Sequence, residues 1–161
     1  MMNQFKYEHF YTIGFLNSFY PLSIPFKNYL YKVLVRNQFK KGDFIAKEGE
    51  ICDKLYIINK GLVRGYFDYN NNQITTWISL ENQIVTSISG FFRNKPALEN
   101  IQCVEETYTE SLSYKDMHYA LENFSEMSHL NRILMEFYYV SAERRSLMAR
   151  KPSAINRYNF F

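Results

Sequence analysis

The sequence predicts an α+β fold: an antiparallel double-stranded β-roll, a small jelly roll, preceded by helices and followed by one long helix. Three observations predict it. Residues 39–66 alternate short apolar runs with corners at Gly42, Gly49 and Gly61, where glycine tolerates φ > 0 and Asp43, Glu48 and Glu50 hydrogen-bond locally. Residues 62–67 and 73–78 flank Asp68-Tyr69-Asn70-Asn71-Asn72, a hairpin signal. After Tyr114 the apolar spacing becomes that of a helix.

Taken in order, residues 5–19 place Phe5, His9, Phe10, Ile13 and Leu16, with Tyr20 just beyond, on a rough helical stripe that Gly14 weakens. His9 reads as a packed histidine, since no partner lies at metal-ligand spacing. Pro21 stops the segment. Ser23 is the expected N-cap of a second helix through Leu34, with Pro25 in its first turn, and Phe26, Tyr29, Leu30, Val33 and Leu34 turned to a core. Strands then dominate to Tyr114. Leu55-Tyr56-Ile57-Ile58 is long enough for a strand buried on both faces and too short for a helix. Residues 84–88, 101–104 and 109–113 complete seven or eight short strands, while the rest of 81–100 is irregular.

Ser113 or Asp116 caps a short helix to about Phe124, and Ser125 with Glu126 opens a long one. Along it Leu130, Ile133, Phe137, Val140, Arg144 and Leu147 recur at intervals of 3, 4, 3, 4 and 3, a heptad seam with one charged interruption. The seam predicts a homodimer through this helix. Leu134, Tyr138 and Met148 widen the stripe, so packing on its own roll is the alternative use of the same helix. Arg144, Arg145, Arg150, Lys151 and Arg157 concentrate positive charge after the seam, read as a solvated face and linker with DNA contact as the alternative. The expected organisation is a helical segment at 1–34, the roll at 35–114 and C-terminal helices at 115–151. Residues 152–161 would start a linker or a truncated DNA-binding domain.

A chain of 161 residues that is 47% hydrophobic and 22% charged holds a substantial core and is not disordered. Its net charge of +3 is too small to imply nucleic-acid or membrane binding by itself. The 14 Phe and 14 Tyr are assigned to packing rather than to a stacking platform for bases. No apolar run is long enough to span a membrane. Cys52 and Cys103 lie far apart with no CxxC, and no secretory signal pattern opens the chain, so a reduced cytoplasmic setting is expected. Catalysis is disfavoured: GxSxG, HExxH, P-loop and dinucleotide fingerprints are missing, and three isolated histidines cannot build a cupin-like metal centre.

The order of corners is Phe39-Lys40-Lys41-Gly42-Asp43-Phe44-Ile45, then Glu48-Gly49-Glu50, then Leu55-Tyr56-Ile57-Ile58-Asn59-Lys60-Gly61. It resembles the opening of the cyclic-nucleotide-binding β-roll of the Crp/Fnr family of transcription regulators, and the resemblance covers roughly residues 35–160. It implies a ligand between the roll and the long helix, held by a short helix and turn between two late strands. There a Gly-Glu pair takes the ribose, and an Arg followed by a small hydroxyl residue takes the cyclic phosphate. Counting back without gaps from Leu112-Ser113-Tyr114 places Thr86-Ser87 where Gly-Glu is expected and Ala97-Leu98-Glu99 where Arg-Ser-Ala is expected.

Ala97 cannot neutralise a phosphate and Glu99 repels one, so cyclic AMP and cyclic GMP are disfavoured. The candidate pocket comprises Thr86, Ser87, Ile88, Ala97, Leu98 and Glu99, with Arg93 or Lys95 as fallback phosphate partner. No metal or cofactor is assigned, because an iron-sulfur cluster lacks its cysteines and a haem its axial histidine; the room left is for an unidentified small effector. The resemblance implies the sensor and dimerisation half of a Crp/Fnr-like regulator. Such a chain reaches DNA only through a C-terminal helix-turn-helix, for which the last residues leave no space. A stand-alone small-ligand-binding or protein-interaction β-roll dimer is the alternative.

Overall fold

The computed structural model describes residues 10–150. Expectations for residues 5–9, His9 among them, and for 151–161 lie outside the described residues. Helix α1 spans Tyr11–Phe19 and α2 spans Ile24–Val33. The side chain of Ser23 accepts the Phe26 N–H at 3.4 Å, and Pro25 stands in the first turn, as the sequence predicts. Eight strands follow: β1 (Val35–Phe39), β2 (Phe44–Ala46), β3 (Lys54–Lys60), β4 (Val63–Tyr69), β5 (Asn72–Ser79), β6 (Ile84–Val85), β7 (Asn100–Cys103) and β8 (Thr107–Ser113). A short helix α3 (Ile88–Arg93) lies between β6 and β7, and α4 (Tyr114–Asn123) and α5 (Ser125–Ala149) close the chain. Ser113 is the cap of α4, its hydroxyl accepting the Asp116 N–H at 3.1 Å.

The strands pair antiparallel in two four-stranded sheets, ordered β1-β8-β3-β6 and β2-β7-β4-β5. Gly42, Gly49 and Gly61 all sit at positive φ. Gly61 is the most constrained: its φ is +119°, and a Cβ there would lie 2.8 Å from the Thr107 Cα. In the β4–β5 hairpin Tyr69 pairs with Asn72, which leaves a two-residue turn of Asn70 (φ 49°) and Asn71 (φ 62°). Two consecutive left-handed residues make a type I′ turn, whose twist matches that of the flanking strands.

Two buried clusters hold the fold. Ile45, Tyr56, Ile58, Val63, Val85, Ile101 and Cys103 fill the roll. Ile13, Leu16, Phe26, Leu30, Leu112, Met117, Met127 and Leu130 form the second, where α1, α2, α4 and the start of α5 pack on the outer side of the roll. Alternation along β3 divides the clusters, Tyr56 and Ile58 facing inward while Leu55 packs against the helical cluster.

Three sequence expectations are corrected. The strand expected at 84–88 is only Ile84–Val85, because Ser87 leaves the sheet to cap α3, its side chain accepting the Gly90 N–H at 3.3 Å. The stretch read as irregular therefore contains a helix. Leu130, placed on the dimer seam by its heptad position, is fully buried inside its own chain. The outward seam starts later. Phe137, Val140 and Leu147 are 59%, 46% and 53% exposed, with Arg144 also exposed and Ile133 half-buried.

Candidate functional site

A cavity of about 560 Å³ lies between the helix-facing side of the β1-β8-β3-β6 sheet and α5. Leu55, Ile57 and Leu112 line it from the sheet, and Met127, Leu134 and Tyr138 from α5. Thr12 and Leu16 of α1 with Leu30 and Leu34 bound one end, while Trp77, Arg93, Glu99 and Arg145 gather at the other. Such a space, apolar over most of its length with a few polar groups at one end, is the usual form of a small-molecule site.

The polar groups are held by specific partners. Trp77 lies across the strand from Gly65, so close that a Cβ on Gly65 would come 2.1 Å from the indole. Glycine at 65 is what lets the ring lie there. Trp77 Nε1–H then donates to Glu99 Oε2 at 2.9 Å, and Thr76 Oγ1 donates to the same oxygen at 3.4 Å. Burial pushes the Glu99 carboxyl above its ordinary value, opposed by the hydrogen bonds from Trp77 and Thr76 and by the Arg145 charge. On the facing helix, the Ile84 N–H donates to Tyr138 Oη at 2.6 Å and Tyr138 Oη–H donates to the Ile84 carbonyl at 2.9 Å. This two-way bond fixes α5 to β6, the strand that leads into α3. Burial raises the Tyr138 phenol, with the Ile84 N–H and Arg145 opposing.

Of the residues named from the sequence, Thr86, Ile88, Arg93 and Glu99 do line the cavity. The Thr86 hydroxyl is already engaged, donating to the Lys54 carbonyl at 2.8 Å. Ser87, Ala97 and Leu98 are not part of the wall. Ser87 is buried as a cap, Leu98 faces solvent, and Ala97 is buried with its backbone paired to the corner at Gly49 and Glu50. Sequence reasoning missed Trp77, Tyr138 and Arg145, which come to the site from 9 to 59 residues away from Thr86. The widening of the long helix's stripe at Tyr138 was the one local signal. Among the described residues no group of three His, Cys, Asp or Glu side chains is arranged to hold a metal ion.

The Glu99 shift has a measurable sign. A carboxyl raised in the folded state keeps its proton where the unfolded chain has lost it. Its contribution to stability is therefore full below the ordinary value of 4.5 and is lost as pH rises through the raised one. Glu99→Gln is expected to flatten the fall in Tm over that interval and to melt at or above the parent at neutral pH. Calorimetric scans across the acid range check it; a variant that melts lower at neutral pH while keeping the parent's slope contradicts it.

An antiparallel roll carrying a short helix between two late strands, with an apolar cavity under a long helix, is the architecture of a cyclic-nucleotide-binding-type β-roll. The chain belongs to the cyclic nucleotide-binding domain family, whose model matches residues 36–124. Its fold is similar to that of the catabolite activator protein of Thermus thermophilus, at 16% identity and a TM-score of 0.65, covering 81% of this chain and 62% of that one. A cyclic nucleotide-binding domain from Methylobacillus flagellatus is similar at 18% identity and a TM-score of 0.71, covering 88% and 83%. The regulatory subunit of a cAMP-independent protein kinase A from Trypanosoma brucei is similar at 22% identity and a TM-score of 0.61, covering 82% and 50%. The chain thus spans less than two thirds of the length of the catabolite activator protein structure it matches. No curated protein sequence matches it. The roll expected from the Crp/Fnr resemblance is the fold observed, and no helix among the described residues is long and apolar enough to cross a membrane.

Proposed function

We propose that this chain is the sensor and dimerisation domain of a Crp/Fnr-like DNA-binding transcription regulator, acting in the cytoplasm, without catalysis, on an effector other than cyclic AMP. The observation that carries the reading is the pair of hydrogen bonds between Tyr138 and Ile84, which ties α5 to the cavity wall. A molecule entering the cavity meets β6, α3 and α5 together, so any displacement of the first two is passed to the long helix. The outward face of that helix carries Phe137, Val140 and Leu147, the exposed apolar seam through which two copies would pair. Rigid-body movement of a helix pair is a recognised way for a small ligand to re-aim attached domains. The sequence position expected to meet a cyclic phosphate is Ala97, buried behind the corner at Gly49 and offering no cation.

The pairing is testable by light scattering. The parent is expected at about twice the 19.3 kDa chain mass. Val140→Glu places a charge on the exposed seam and is expected to halve the mass while leaving the helical spectrum intact. A parent that stays monomeric at every concentration overturns the dimeric sensor.

A further inference from the structure

We propose that the cavity receives a long-chain monoanionic amphiphile, a single hydrocarbon chain ending in a carboxylate, with the head at Arg93 and Arg145 and the chain running beneath α5. The inference rests on reading this cavity as the effector site and names the class of molecule that fills it.

The shape comes first. On α5 the wall runs from Met127 to Arg145, eighteen residues, or about 27 Å at ~1.5 Å per residue. Along that helix the lining is mostly apolar, with Met127, Leu134 and Phe137 facing Leu55, Ile57 and Leu112, a wall that suits a hydrocarbon chain. A purine joined to a ribose is shorter and far more polar. Its polar edges would meet Leu16, Leu30, Leu55, Leu112 and Leu134 with no hydrogen-bond partner, a costly burial.

The charges come second. Arg93, in the last turn of α3, and Arg145, on α5, are exposed, and neither makes a hydrogen bond or ion pair among the described residues. Glu99, on which the Arg145 charge acts, is engaged by Trp77 Nε1. Arg93, Arg145 and Glu99 are the charged residues of the lining, two guanidinium groups to one carboxylate, which leaves the cavity one positive charge. A carboxylate is the single-charge partner whose planar oxygens match the guanidinium fork.

Trp77 is the chain's one tryptophan and lies at the arginine end, so its emission reports occupancy. The full chain, freed of bound lipid on a hydrophobic resin, is titrated with octanoate, decanoate, dodecanoate and tetradecanoate. The expected result is a saturable change with Kd falling about three- to fourfold per added methylene. In the double variant Arg93→Ala, Arg145→Ala, dodecanoate is expected to bind about tenfold more weakly, while dodecanol binds as it does to the parent. Absence of a saturable change with all four acids, an affinity that ignores chain length, or equal losses for acid and alcohol overturns the proposal. Two further readouts separate it from the functional reading. Cyclic AMP shifting Trp77 emission where dodecanoate does not sinks both. Length-dependent binding of the acids to a chain that stays monomeric upholds this proposal and sinks the dimeric sensor.

Discussion

Leu130→Ala is expected to lower the unfolding free energy by about 3 kcal/mol, among the largest losses available to a single substitution in this chain. Leu130 is fully buried in the second turn of α5, within the cluster that joins it to Phe26, Leu30, Met117, Ala120 and Met127. Truncation removes three carbons that touch side chains from several helices, and the helix ends around them cannot all close on the space left. Urea titration followed by circular dichroism measures the loss. The comparison variant is Leu147→Ala, at a site 53% exposed on the same helix, which is expected to stay within about 0.5 kcal/mol of the parent monomer. A Leu130→Ala loss below about 1 kcal/mol, or one that disappears on dilution, would return Leu130 to a seam between copies.

The heptad count placed Leu130 and Leu147 on one line because it treats the long helix as having one environment. It has two. Over its first two turns α5 packs with α1, α2 and α4, Met127 and Leu130 sharing one buried cluster with Ile13, Leu16, Phe26, Leu30, Met117 and Ala120. Beyond Leu134 those helices have ended, and the same spacing emerges at the surface. Periodicity reports which residues share a face and is silent about what covers it.

The glycine corners were legible for the opposite reason. A positive φ at Gly42, Gly49 or Gly61 is a local demand that the residue type itself records. Helix α3 left little trace, since six residues are too few for a period to show. Its one signal was Ser87 three residues before Gly90, a cap in what looked like a strand. Ala97 illustrates the remaining difficulty. Counting along the chain brought it to the neighbourhood of the cavity, yet its backbone pairing with Gly49 and Glu50 turns it into the core, a contact across 47 residues that no linear count contains.

The other large expected effect concerns a residue that the sequence showed only as one polar position in the last strand. Glu110→Ala is expected to destabilise the chain by about 2–3 kcal/mol. Glu110 is almost fully buried on β8, and its two oxygens accept the Tyr11 N–H at 3.0 Å and the Thr12 N–H at 2.8 Å. Those are the first two residues of α1, whose N-cap Phe10 supplies no side-chain acceptor. A carboxylate borrowed from β8 thus does the work of a cap and meets the positive end of the helix dipole. Arg36 Nε lies 3.8 Å from Oε1 on the half-exposed side, so removal of the carboxylate does not strand a buried cation. The loss is therefore dominated by two buried N–H groups left without acceptors, reduced by the desolvation cost that the buried carboxylate no longer incurs. Glu110→Gln, which keeps one oxygen, is expected to lose about half as much. Amide exchange at Tyr11 and Thr12 separates the cause from general loosening, because a capping role speeds those two amides most. An Ala variant within about 0.5 kcal/mol of the parent would mean that the desolvation of Glu110 cancels its hydrogen bonds, and that the packing of Ile13 and Leu16 with the Tyr11–Asn82 hydrogen bond suffices to hold α1 to the roll.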